Sequence, residues 1–118
     1  MNITENHITI NRGDTYKFPL LINVGTHIAP KNLTLTDTMS VYVGVMEPNQ
    51  KFENAIIRKK YTKEDVKEDG FIYVEFYPDD TVNLQVGKYY IEIKLVDTST
   101  NPETVTTICS KKLFYIIE

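Results

Sequence analysis

Few residues in this chain of 118 are of types that carry out acid–base or nucleophilic chemistry. The histidines are His7 and His27, and the single thiol is Cys109. No glycine-rich phosphate loop, GxSxG elbow or HExxH metal motif accompanies them. Cys109 alternates with Val105 and Thr107, which favours a small core-filling residue over a nucleophile, and His27 is expected in a solvated loop. We therefore expect no enzyme and no cofactor.

A cluster of carboxylates is the one candidate for metal binding. Its members are Glu64, Asp65, Glu68, Asp69, Asp79 and Asp80. A calcium loop needs oxygen ligands at fixed offsets, a glycine at the sharp turn and a final bidentate acid. Neither KEDVKEDG nor PDDTVNLQ has that spacing, so the sequence predicts solvated acidic turns and no metal site.

The triplet Arg12-Gly13-Asp14 matches the motif that integrin-type receptors recognise in adhesion ligands. Gly13 permits positive φ, and the side chain of Asp14 can accept hydrogen bonds from backbone N–H groups ahead of it. Thr15 then begins an extended run. A receptor ligand must protrude on a mobile loop, whereas a turn joined directly to a strand is short and held. We predict a structural turn.

Strict alternation of apolar residues recurs along the chain and predicts strands with one buried face. The predicted core consists of Phe18, Leu20, Ile22, Val43, Val45, Ile72, Val74, Phe76, Tyr89, Ile91 and Ile93. Pro19 lies inside one such run, and because proline has no N–H to donate, we expect an edge strand or a bulge there. Residues 62–66 and 80–84 are candidates for short helical turns or irregular loop.

About seven to eight short strands at roughly ten-residue intervals, with no long helical pattern, predict an all-β antiparallel sandwich or barrel. An immunoglobulin-like sandwich is the leading choice, although the paired cysteines and tryptophan of antibody domains are missing. A chain of this length is expected to form a single domain over residues 1–118.

The composition argues against two classes of partner. The net charge is −3 and no basic stripe is present, so we expect no nucleic acid. The longest apolar runs are far shorter than the ~20 residues that cross a bilayer, and no secretory signal is visible, so we expect no membrane partner and synthesis in a reducing cytoplasm.

Three tyrosines are the candidate interaction surface. Alternation places Tyr73, Tyr77 and Tyr90 together on the face opposite the core, where tyrosine is well suited to protein or glycan contacts. Either a second element of the chain covers these rings, or they form a contact, and we favour a protein contact. An edge strand, including the one that carries Pro19, is the other candidate.

Four stretches of the sequence resemble one known family. They are the GDT turn and first strand of residues 12–20, the glycine-to-strand step of residues 69–74, the L-x-x-G-K-Y-Y segment of residues 84–90, and the terminal strand of residues 113–117. This pattern is similar to the immunoglobulin-like N-terminal domain of the phage baseplate upper protein and its relatives in phages of Gram-positive bacteria. It spans nearly the whole chain.

The resemblance implies a non-enzymatic structural protein of a bacteriophage particle, located in the virion. Its expected partners are other virion proteins and copies of itself. That family continues into further regions where this chain stops, which suggests a small adaptor or decoration subunit of the baseplate, tail or head. A host-surface or carbohydrate-binding module, with the three tyrosines as its platform, is the alternative.

Overall fold

The computed structural model describes residues 2–3, 7–25, 30–32 and 34–118. Its ten strands, in chain order, are β1 (Asn2–Ile3), β2 (His7–Asn11), β3 (Tyr16–Leu20), β4 (Asn23–Gly25), β5 (Pro30–Asn32), β6 (Met39–Met46), β7 (Ile57–Tyr61), β8 (Ile72–Phe76), β9 (Gly87–Asp97) and β10 (Thr104–Ile117). A short helix, α1 (Pro78–Thr81), and the 3-10 turns Phe52–Asn54 and Lys63–Asp65 complete the described elements.

These strands form two main layers. The larger sheet has the order β1-β2-β10-β9-β6-β7, and the smaller sheet pairs β3 with β8. A separate two-stranded ribbon pairs β4 with β5. Seven strands have five residues or more, all of them in the two main sheets. The all-β, sandwich-like fold predicted from the sequence is confirmed.

One pair departs from the antiparallel pattern. β10 lies antiparallel to β9, but its last residues run parallel to β2, with Leu113 opposite His7 and Ile117 opposite Asn11. This pairing places the first and last long strands side by side in the larger sheet.

The core lies between the two layers, as alternation predicts. Of the predicted core residues, only Leu20 is not fully buried, and it packs against the rest while partly exposed. Phe76 of the smaller sheet joins the layers, because its ring centroid lies 5.5 Å from that of Phe114 in the larger sheet. Ring pairs at this separation add to the burial of apolar area.

Both candidate helical turns are present, with bounds that differ from those predicted. In the first, the Asp65 carboxylate accepts the Thr62 N–H at 2.8 Å, and the Thr62 hydroxyl donates to the Glu64 carboxylate. In the second, α1, the Asp80 carboxylate accepts the Tyr77 N–H at 2.7 Å. None of the helices among the described residues has the length and apolar character required to cross a membrane.

Candidate interaction surfaces

The Arg-Gly-Asp triplet forms a turn that is tied to the rest of the fold. Gly13 has a φ of 82°, and its N–H donates to the hydroxyl of Thr81 at 2.8 Å. The N–H of Arg12 donates to the carbonyl of Ile117 at 2.7 Å, and its guanidinium pairs with Glu118. The predicted structural turn is therefore present, and its backbone donors are used within the protein.

Of the candidate chemical residues, Cys109 and His7 lie on different strands. Cys109 is half-buried on β10, and burial raises the pKa of its thiol, whereas an activated nucleophile needs a lowered pKa. His7 lies on β2, with its ring centroid 5.6 Å from that of Tyr115. His27 lies outside the described residues.

The acidic residues are distributed over separate local contacts. Asp69 accepts the hydroxyl of Tyr73, and the Asp80 carboxylate lies 2.7 Å from the ammonium of Lys59, an ion pair that links α1 to β7. Within the described ranges, no group of three or more His, Cys, Asp or Glu side chains is arranged to hold a metal ion.

Pro19, Tyr73 and Tyr77 share one surface, which we call the tyrosine surface, on the outer side of the smaller sheet. Pro19 lies opposite Tyr73 in the register of β3 and β8. The Tyr73 ring has the Lys17 ammonium 4.9 Å from its centroid. The Tyr77 hydroxyl donates to Glu75, which raises the tyrosine's pKa, and Tyr77 is 49% exposed.

Tyr90 does not belong to this surface. It lies on β9 of the larger sheet, opposite Met46 on β6 and Leu113 on β10, and points away from the core on the other side of the sandwich. The prediction of one face shared by all three tyrosines is wrong, because Tyr73 and Tyr77 flank the core from the opposite layer. A three-tyrosine glycan platform has no geometric basis.

The two edges of the smaller sheet are both obstructed. The N–H of Glu75 donates to the hydroxyl of Tyr61 at 3.1 Å, so it points away from β3. N–H directions alternate along a strand, so the N–H of Tyr73, two residues before Glu75, also points away from β3. The Tyr73–Pro19 pair is therefore a non-hydrogen-bonded pair, like the Glu75–Lys17 pair. Among the strands described here, β3 has a partner on one side only, and the nitrogen of Pro19 faces its other, free edge. Proline therefore removes a hydrogen-bond donor from this free edge without breaking any hydrogen bond between β3 and β8.

The longest open edge among the described strands belongs to β10. Residues 113–116 have β2 on one side and β9 on the other, and Ile117 pairs with β2, whereas residues 104–112 have only β9. Val105 on this edge is 53% exposed. The register with β9 shifts between Thr107 and Cys109 and again between Cys109 and Lys112, so the open edge, residues 104–112, is irregular in its second half.

A groove of about 720 Å³ lies on the outer side of the larger sheet. Its floor follows β6, where Tyr42 lies opposite both Lys60 on β7 and Lys94 on β9. The lysine ammonium groups lie 5.6 Å from the ring centroid of Tyr42 and 4.9 Å from that of Phe52, respectively. We call this surface the outer groove.

The loop after β6 forms one end of the outer groove. The Phe52 ring covers Gly44 so closely that a Cβ there would lie 2.7 Å from its nearest ring carbon. Arg58 holds the loop, since its guanidinium donates to the carbonyls of Ala55 and Glu53. The outer groove could not be predicted from the sequence. The valine alternation on β6 places Tyr42 outward, but sequence does not show which strands lie beside it.

No protein-family model matches the chain, and a search of curated proteins finds no similar sequence.

Proposed function

We propose that this protein is a non-catalytic structural subunit of a bacteriophage particle, which docks onto a neighbouring virion protein through the open edge of β10. The sequence resemblance described above supports the phage setting. The observation that carries the docking proposal is that residues 104–112 have a strand on one side only among the described residues.

An open strand edge presents N–H and C=O groups that a partner's strand can pair with. The sequence TVTTICSKK is rich in β-branched residues, which suit a pleated surface, and lacks proline. The two register shifts twist this edge, which disfavours unselective pairing with any exposed strand. The open edge therefore favours a partner strand that fits its regular first half over an arbitrary exposed strand.

The experiment asks whether the protein is built into particles through this edge. Particles are purified from a host that carries the gene, and the protein is sought in them by mass spectrometry. The gene is then deleted and complemented with a variant that carries Thr104→Lys and Thr106→Lys, two exposed positions on the open edge. Added lysines charge the edge and oppose strand addition, so we expect the variant to be lost from the particles.

The matched control carries Asn83→Lys and Gln85→Lys, which add the same charge at exposed positions just before β9, whereas residues 104–107 of the open edge pair with the opposite end of β9. We expect this variant to be incorporated like the wild type. Absence of the wild-type protein from particles would overturn the phage assignment. Normal incorporation of the edge variant would overturn the docking site.

A further inference from the structure

The outer groove carries its charges in a defined order along the strand direction. Lys60 and Lys94 lie on either side of Tyr42 in its middle, while Glu53 lies at one end and Glu103 at the other. The ammonium of Lys94 lies 3.8 Å from the carboxylate of Glu92, so Lys60 is the cation that gives the middle its basic character. Because the whole chain has a net charge of −3, the middle of the groove reverses the overall sign. A polyanion filling the groove would meet a carboxylate at each end. The groove fits a segment with an acidic centre and basic ends.

The turn that follows β7 has this complementary order of charges. It contains the 3-10 turn Lys63–Asp65 and reads Lys-Glu-Asp-Val-Lys over residues 63–67. Its four charged side chains are exposed. We propose that a second copy of this chain docks this acidic turn in the outer groove, with the carboxylate of Glu64 facing the basic middle.

Within one chain, the turn lies beside the groove and not inside it. The ammonium of Lys63 is 3.4 Å from the carboxylate of Asp37, a residue at the same end of the groove as Glu103. Lys60 has no carboxylate within 4.0 Å among the described residues, so its charge is available to a neighbouring copy. A partner's Glu64 supplies the missing counter-charge.

The contact is heterologous, because groove and turn are different surfaces of the same chain. Such contacts generate a ring when the rotation closes and a filament when it does not. Exposed ion pairs are individually weak, so two isolated copies associate weakly and many copies held in a particle associate firmly. The inference rests on the proposed function, since repeated contacts between copies are what a particle subunit requires.

Sedimentation velocity at low salt, from micromolar to millimolar protein, tests this contact. We expect the wild type to form species larger than a dimer as concentration rises. Lys60→Glu and Glu64→Lys should each weaken self-association about tenfold or more, because each places like charges together. The two changes combined in one chain restore opposite charges and should restore self-association.

The matched control is Lys88→Glu, an exposed lysine on the same sheet whose ammonium lies 5.8 Å from the ring centroid of Tyr90. It makes the same charge change and should self-associate like the wild type, and circular dichroism verifies the folding of every variant. A wild type that stays monomeric, a control as weak as Lys60→Glu, or a combined variant without recovery each overturns the proposal. Particle incorporation is measured separately: a monomeric protein that is still found in particles overturns this contact alone.

Discussion

Gly13 is the position where a single residue type is required by the backbone. Its φ of 82° is readily adopted by glycine and is strained for a β-branched side chain, while a Cβ built there meets no atom within 4 Å. We expect Gly13→Val to destabilise the protein by about 1–2 kcal/mol in urea unfolding, through backbone strain alone. Gly13→Asn, which tolerates this conformation, should lose clearly less. Equal losses for the two variants would contradict this explanation.

At the scale of single residues, the sequence predicted side-chain direction well. Alternation depends only on neighbours along the chain, so it placed Ile72, Val74 and Phe76 in the core and Tyr73 outside it. Leu20 is the exception: it is the last residue of β3 and only partly buried, although Ile22 after it is buried in the core. Direction within a strand is local information, and the sequence contains it.

At the scale of elements, the sequence lacked the pairing partners. Tyr77 and Tyr90 were expected on one face because both point away from buried neighbours. Which sheet a strand joins depends on contacts between distant segments, and β8 and β9 belong to different sheets. The same limit applies to Phe52, whose 3-10 turn folds over Gly44 in a contact between loop and strand that alternation does not predict.

The contact between Phe52 and Gly44 gives a second prediction. Gly44→Ala places a Cβ within 2.7 Å of the Phe52 ring, so the ring must move, and we expect a loss of about 1–3 kcal/mol. In a Phe52→Ala background the same change should be much cheaper, because the obstructing ring is gone. A double-mutant cycle from urea unfolding measures the difference. Additive losses would show that the clash with the ring does not control this site.

The end of β9 gives a third prediction, which concerns pH. Asp97 accepts the Ser99 N–H and the Thr38 hydroxyl, each at 2.9 Å, and these bonds, that of Ser99 first, lower the pKa of its carboxyl. A carboxyl with a lowered folded-state pKa stabilises the fold above its unfolded pKa, and this contribution is lost as pH falls through the folded pKa. Thr38→Val should raise the pKa towards its ordinary value, as measured by carboxyl NMR titration.

The control for that titration is Asp69, whose pKa is lowered chiefly by the hydroxyl of Tyr73 and should not respond to Thr38→Val. Asp97→Asn should destabilise the protein at neutral pH, and the difference from the wild type should shrink as the solution is acidified through the folded pKa. An Asp97 pKa that is unchanged in Thr38→Val would contradict the assigned cause.

At the scale of the whole molecule, the candidate contacts occupy different sides. The tyrosine surface lies outside the smaller sheet, and the outer groove lies outside the larger one. The open edge adjoins the groove, since Val105 contributes to both. One copy therefore presents two adjoining surfaces, and in the proposed function the edge would contact a different protein of the particle while the groove would contact further copies of this chain.

Hydrogen exchange separates the open edge from the rest of the sandwich. In an antiparallel pair, N–H groups along a strand alternate between facing the partner and facing away. Residues 113–116 have strands on both sides, so their amides should exchange only when the protein unfolds, while alternate amides in residues 104–112 should exchange much faster in the isolated protein. Docking of a partner strand at this edge should make those fast amides slow in protein recovered from particles.

The control is the amide of Lys17, which faces the free edge of β3 beside Pro19 and should stay fast in both states. Uniformly slow exchange in the isolated protein would mean that the edge is already paired, and fast exchange retained in particles would place the docking site elsewhere.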